Sequence, residues 1–244
     1  MRVLLINIIS LIKGFFFLLR PNSYLGFLIS PSMLMGNSLK LSKWISTERK
    51  KGIAFDDFFR FIRRYEDRFK LHDYIIKSEL LKTEKIYYLE FGVASGISFK
   101  WWLRANNNPE SKFFGFDTFE GLPQDWGIFK KGEMAPNQLD INDNRYVFIK
   151  GLFNPSLPEF LESTNLDPDI RKIIHLDADL FVSTLFVLVS LHKTLKSGDI
   201  LIFDEFCVPN HEFLAFDIFT KLYDIKYHTK GAVNNYLQIA IKID

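Results

Sequence analysis

The sequence predicts an α/β protein built on a doubly wound, mostly parallel sheet. Apolar, β-rich runs recur at Ile86–Phe91, Phe113–Phe116, Tyr146–Ile149, Ile173–Leu176 and Ile200–Phe203. They are continuously apolar rather than alternating, as in strands covered on both faces. Helical patterns lie between several of them, notably Ser183–Leu195, and another, Phe213–Tyr223, follows the last. Strand and helix in alternation are the pattern of a parallel sheet. The chain can fill such a core, with 48% hydrophobic residues and 26 Phe among 244.

From the N-terminus, the first element is an outlier. Val3–Leu19 is nearly all apolar, broken by Asn7, Ser10, Lys13 and Gly14 and flanked by Arg2 and Arg20. On a helix these polar positions fall within an arc of roughly 140°, an arc that Val3, Ile6 and Phe17 share. Such a helix lies in a membrane interface or docks on its own domain or on a second copy. With Lys13 near its middle it makes a poor transmembrane span. A cleaved signal peptide fits worse, since the basic region is one Arg and no clean small-residue cleavage site follows. Pro21, Asn22, Gly26, Pro31 and Gly36 then read as a loop-rich stretch. Residues 1–52 are thus expected to form a helical, amphipathic extension, and 53–244 the main domain.

A helix is expected from Asp56, with Phe59, Ile62, Tyr65 and Phe69 at helical spacing, and a second over Asp73–Leu81. After the last parallel strand, Ile225–His228 and Tyr236–Ile243 flank Gly231 and Asn234–Asn235. That pattern reads as an antiparallel hairpin closing a seven-stranded sheet.

Charge and cysteine content exclude several functions. Lys plus Arg total 31 and Asp plus Glu 29, without a basic stripe, so no nucleic-acid partner is expected. A lone cysteine, Cys207, rules out an intrachain disulfide framework and a cysteine-built metal centre. It suits a reduced, cytoplasmic setting.

Ligands of open α/β sheets bind at the carboxyl ends of the strands. After the first strand comes Glu90-Phe91-Gly92-Val93-Ala94-Ser95-Gly96. Its glycines permit close backbone approach, and the next helix presents its N-terminal N–H groups. Glu90 there suits a ligand with an ammonium or hydroxyls better than a pyrophosphate. As a bare strand–helix turn, the same run would need no ligand. Asp117, followed by Thr118 and Phe119, ends the second strand, where ribose hydroxyls are held in nucleoside-binding folds. A turn or cap is the plainer role for Asp117.

Asp177-Ala178-Asp179 follows the fourth strand, and Asp204-Glu205 the fifth. Carboxylates gathered on one rim repel unless a cation intervenes, and Mg²⁺ is the simplest. Without a metal, Asp177 or Asp179 would cap the next helix and Asp204 would contact the nucleoside. His211, a few residues on, is a candidate base, though a lone His there is more often a helix-entry or surface residue.

Together the strings YLEFGVASGISFKWW, GFDTFEGLPQDWGIF, GLFNPSLPEFL, HLDADLFVSTLFVL and GDILIFDEF resemble the macrocin O-methyltransferase family and its relatives. The resemblance runs from about Tyr87 to the C-terminus and leaves out the first fifty residues. It implies a Rossmann-like class I methyltransferase that uses S-adenosylmethionine and methylates a hydroxyl of a sugar or other small-molecule acceptor. It implies cofactor contacts at Glu90, Gly92 and Gly96 and at Asp117, and the neighbouring Ser95, Thr118 and Phe119 are taken as cofactor-binding with them. It implies a Mg²⁺ held by Asp177, Asp204 and Glu205; Asp177 is taken as catalytic with it, and His211, from its place just past these acids, as the candidate base. The family usually carries Asp where Glu205 stands. The competing readings are a metal-dependent glycosyltransferase using Asp177-Ala178-Asp179, and a binding module without activity. Peripheral membrane contact through residues 1–20 and a homo-oligomer are the remaining partner expectations, and the N-terminal segment and the loop Gln124–Arg145 are expected to shape the acceptor pocket.

Overall fold

Most of the apolar runs become strands with little adjustment. The computed structural model describes residues 2–121, 130, 132 and 141–244. In chain order the helices and strands are α1 (Arg2–Leu18), α2 (Asn22–Leu25), α3 (Ile29–Lys51), β1 (Phe55–Asp56) and α4 (Arg68–Ser78). There follow β2 (Ile86–Phe91), α5 (Ile97–Ala105), β3 (Lys112–Asp117), β4 (Tyr146–Lys150), α6 (Phe153–Ser163) and β5 (Arg171–Leu176). The chain ends with α7 (Phe181–Leu191), β6 (Ile200–Phe203), α8 (Glu212–Leu222), β7 (Tyr227–Val233) and β8 (Gln238–Ile243). Two compact units result, Met1–Lys40 and Leu41–Asp244.

In the second unit, one eight-stranded sheet runs β1-β7-β8-β6-β5-β2-β3-β4. β2 pairs in parallel with β3 and β5, and β5 with β6, while β8 is antiparallel to both β6 and β7. This is the expected Rossmann-like architecture, with one strand more than the seven anticipated. The extra strand is β1, two residues parallel to β7, too short to show a period of its own.

Side-chain alternation along the strands builds a core on each face of the sheet. Leu89, Phe91, Leu176 and Phe203 meet α6, α7 and α8, with Trp44 of α3 packed against Phe206. Tyr88, Ile173 and Ile202 meet Leu71 and Ile75 of α4 and Phe99 and Trp102 of α5. The phenylalanines supply much of the first core, for example Phe91 stacked on Phe116 at 4.6 Å between centroids. Burying each such ring contributes about 1.5–3 kcal/mol.

Two sequence expectations are corrected. The helix expected from Asp56 does not form. After β1 the chain is irregular up to a single 3₁₀ turn at Tyr65–Asp67, and α4 begins at Arg68. The reason is non-local. Asn235 and Asn234, at the hairpin turn, accept from the backbone N–H groups of Arg60 and Arg64 at 2.8 and 3.0 Å. Both asparagines also donate back to the carbonyls of those same two residues. Backbone groups satisfied by side chains from the far end of the chain have no need of helix. The loop-rich stretch after Pro21 is instead largely helical, through α2 and α3. Pro31 lies in the first turn of α3, where its missing N–H breaks no helical bond.

Candidate active site

Strand register gathers the four loops of interest. Phe91 pairs with Phe116 and with Leu176, and Leu176 with Phe203, so β2, β3, β5 and β6 end level with one another. Beyond their carboxyl ends lies a cavity of about 400 Å³. Gly92, Ala94, Asp117 and Thr118 line it from the first two loops, and Asp177, Asp179 and Glu205 from the other two.

The glycine loop is pressed against the loop after β5. Gly92 has φ +97°, and a Cβ there would stand 1.9 Å from the carbonyl oxygen of Asp177. No side chain fits such a contact, so glycine is obligatory. Gly96, also left-handed at φ +69°, starts α5. Asp117 holds the loop from below: its Oδ2 accepts the Ala94 N–H at 2.8 Å and its Oδ1 the Phe119 N–H at 2.6 Å. Each carboxylate oxygen keeps a further lone pair for a ligand in the cavity. The turn role weighed for Asp117 and a ribose role are therefore compatible.

The lining carries four carboxylates, Asp117, Asp177, Asp179 and Glu205, and among the described lining residues no Lys, Arg or His. Burial pushes Asp177 well above the usual carboxylate range, and Asp204 and Asp179 add to it. Asp179 is raised to about 6, by burial first and then by Asp204 and Asp117. Glu205 is raised to about 7, again chiefly by burial, with Arg63 at 3.7 Å only partly offsetting it. These are acids short of positive charge.

Behind the cavity the balance is reversed. Glu90, on β2, pairs in register with His175, on β5. The two side chains share the α4–α5 face with Tyr88, whose hydroxyl donates to Glu90 and meets His175 Nδ1 at 2.9 Å. The other ring nitrogen of His175 lies 3.9 Å from Asp204 Oδ1. Asp204 Oδ2 accepts from the Tyr65 hydroxyl and lies 3.5 Å from Arg68. Burial opposes charging His175, but Asp204 and Glu90 outweigh it and raise its pKa to about 10. Burial likewise opposes ionising Asp204, and His175, Arg68 and Tyr65 nevertheless hold it down at about 2.

The expected site residues therefore separate into three groups. Gly92, Asp117, Thr118, Asp177 and Glu205 line the cavity, joined by Asp179. Glu90, at 1% exposure, and Asp204, at 0%, are turned into the buried network instead. Ser95 is exposed and Gly96 buried, neither on the cavity wall, and Phe119 packs against Phe148. His211 lies outside the lining too, with its Nδ1 against the Asp179 carbonyl at 2.7 Å. That contact assigns the proton to Nδ1 and leaves Nε2 as the acceptor. Most of the Gln124–Arg145 loop (residues 124–129, 131 and 133–140) lies outside the described residues.

Sequence reading missed Tyr65 as a lining residue, and missed the wall formed by Leu152, Phe153 and Asn154 at the start of α6. The position of α6 just after β4 is the signal that could have found that wall. Tyr65 had none, because it was read as a helix-face residue.

The two expected ligands fare differently. A cationic nucleoside fits: carboxylates face its charge and hydroxyls, and Leu152, Val182 and Phe186 offer apolar contact to a flat base. A magnesium site of Asp177, Asp204 and Glu205 does not fit as the side chains stand. Among the described residues, no three His, Cys, Asp or Glu side chains converge on a point that could hold an ion. Asp204 is committed to Tyr65, Arg68 and His175.

Residues 89–206 match the family model described as a methyltransferase domain. The fold is shared with solved structures. The crystal structure of CalS11, a calicheamicin methyltransferase, has a TM-score of 0.57 at 18% identity, covering 85% of this chain and 91% of that one. An apo structure of CalS11, described as a TDP-rhamnose 3'-O-methyltransferase of calicheamicin biosynthesis, has a TM-score of 0.52 at 17% identity, covering 85% and 93%. The O-methyltransferase NovP has a TM-score of 0.53 at 19% identity, covering 73% and 78%. No curated protein matches the chain in sequence. The domain match supports the methyltransferase class that the motifs implied.

Proposed function

We propose that this methyltransferase domain moves a methyl group from S-adenosylmethionine to a hydroxyl oxygen of a sugar or natural-product acceptor, as members of the macrocin O-methyltransferase family do. One observation carries the reading: four carboxylates and no described basic residue line a cavity at the carboxyl ends of β2, β3, β5 and β6. A sulfonium cofactor with an ammonium group is a cation, and such a lining favours it. A nucleotide sugar brings a diphosphate, which this lining repels. The acceptor class rests on the motif resemblance.

When bound, the cofactor supplies an electrophilic methyl for in-line displacement. The chain's own part is to align the acceptor oxygen and take its proton. Gly92, on the cavity wall, would leave its backbone open to the cofactor, and Asp117 would hold the ribose with the lone pairs left beyond Ala94 and Phe119. Asp177 is the proposed proton acceptor. Its affinity for a proton is already raised by burial and by neighbouring acids, and a cation beside it would return it to the ionised, accepting form. His211 Nε2 is the second candidate acceptor, on the loop after β6, its ring held against the Asp179 carbonyl two residues from Asp177.

Magnesium assistance is the finer form of this reading. Asp177 and Glu205 open on the cavity, and Asp204 would have to leave Tyr65 and Arg68 to join them. Calorimetry with S-adenosylmethionine and with nucleotide sugars tests the main reading. Binding of the first alone is expected, and binding of a nucleotide sugar alone would overturn it. Thermal unfolding with Mg²⁺ and then with chelator tests the metal. Stabilisation by Mg²⁺ that the chelator reverses is expected if the three residues take the ion, and full activity in excess chelator would remove it.

A further inference from the structure

We propose that the first unit, Met1–Lys40, is a membrane-docking element that embeds in the interface of an anionic phospholipid bilayer. This goes beyond methyl transfer and does not depend on it.

α1 has no buried residue. Val3, Leu11, Phe17 and Leu18 are each 70% exposed or more. The exposure continues past α1 at Tyr24, Phe27, Ile29, Met33, Met35 and Leu39. A soluble monomer's largest apolar patch is about 300–600 Å², and a whole helix of exposed Leu, Ile and Phe exceeds that. Something apolar covers this surface.

Charge selects what does. Residues 1–47 hold Arg2, Lys13, Arg20, Lys40 and Lys43 and no Asp or Glu, the first acid being Glu48. A second copy would set these cations against themselves, whereas anionic headgroups complement them, at about 1 kcal/mol per basic residue near the surface. Helix geometry selects the mode. At about 1.5 Å per residue, the 17 residues of α1 span about 26 Å, short of a hydrocarbon core of about 30 Å. No single helix among the described residues is long and apolar enough to cross; only the pair Arg2–Leu18 and Asn22–Lys51 passes together, bent by 57°. Lys13 would be costly at the bilayer centre, but from an interfacial helix it reaches the headgroups beside Asn7 and Ser10. The bent pair therefore lies in one leaflet.

Flotation of the full chain tests this, with vesicles of phosphatidylcholine alone or mixed with phosphatidylglycerol. Wild type should float with the mixed vesicles and less with the neutral ones. The triple variant Ile8→Asp, Ile12→Asp, Phe15→Asp, all at exposed positions on the apolar face, should lose about tenfold or more of the bound fraction. Its thermal unfolding should be unchanged, because these side chains support no core. Arg2→Gln with Lys13→Gln and Arg20→Gln should remove the preference for phosphatidylglycerol. Three results would overturn the proposal: wild type that floats with neither vesicle, a triple variant that floats like wild type, or a defined wild-type dimer that the triple variant splits while no vesicle binding occurs. The last would assign the surface to a second copy.

Discussion

Two groups of acids lie at the same edge of the sheet and meet opposite fates. Asp204 and Glu90 are fully buried, yet Asp204 is held ionised because His175, Arg68 and Tyr65 surround it. Asp177, Asp179 and Glu205 face the cavity and hold their protons more tightly than usual. Burial acts on both groups, so burial does not decide the difference. The cations do: the structure places them behind the sheet's edge and leaves the cavity wall without any among its described residues. A wall of uncompensated acid is destabilising by itself and is expected where a positively charged ligand completes it.

The same substitution on either side of that boundary should therefore have different effects. Asp204→Asn leaves Arg68 without its counter-ion and a charged His175 with Glu90 alone, and should cost about 3–5 kcal/mol in denaturant unfolding. A stability close to wild type would show that the network is not held by charge. Asp177→Asn removes an acid from the repelling group, so the melting temperature should stay level or rise. Turnover should fall by about 10²–10⁴-fold, the usual range for losing a proton acceptor. A variant with full turnover passes the role to His211. Asp117→Ala should weaken S-adenosylmethionine binding by about 1–3 kcal/mol, through lost hydrogen bonds to the ribose and a looser glycine loop. Unchanged affinity in a folded variant would take Asp117 out of the cofactor site.

The smallest expected effect is on pH. Asp179 and Glu205 titrate at about 6 and about 7, above their ordinary values of 3.8 and 4.5. Acids raised in the folded state contribute stability that is complete below their unfolded pKa and lost as pH rises through the folded one. Asp204, lowered to about 2 from 3.8, contributes above its unfolded value and loses that only as pH falls through 2. Between about pH 4 and 7 the raised pair should dominate, and the melting temperature should drift down by a few degrees. Saturating S-adenosylmethionine should flatten the drift. His72, whose pKa burial holds well below 6.5, acts in the opposite direction over that window, so a melting temperature that climbs would mean that it outweighs the two acids.

Strand placement was legible because buried parallel strands leave continuous apolar runs: Ile86–Phe91 and Ile200–Phe203 have the bounds that the sequence indicates. The rim was legible for the same reason, since residues just after those runs must lie at the carboxyl edge. Residues 57–64 were not. Phe59 and Ile62 have helical spacing, but Asn234 and Asn235 take the backbone groups that a helix would have used, from about 170 residues away.

The sequence by itself determined the sheet, the order of the loops on its edge, the glycine at position 92 and the acids that crowd the rim. Each follows from local pattern and the strand period. Only the tertiary structure decided which acids face the cavity and which face inward. Glu90 meets His175 across a strand pair, and Asp204 meets Tyr65 and Arg68 more than 130 residues earlier in the chain. The charge state of a carboxylate depends on what lies within a few ångströms in space, and that neighbourhood exists only after the strands have paired.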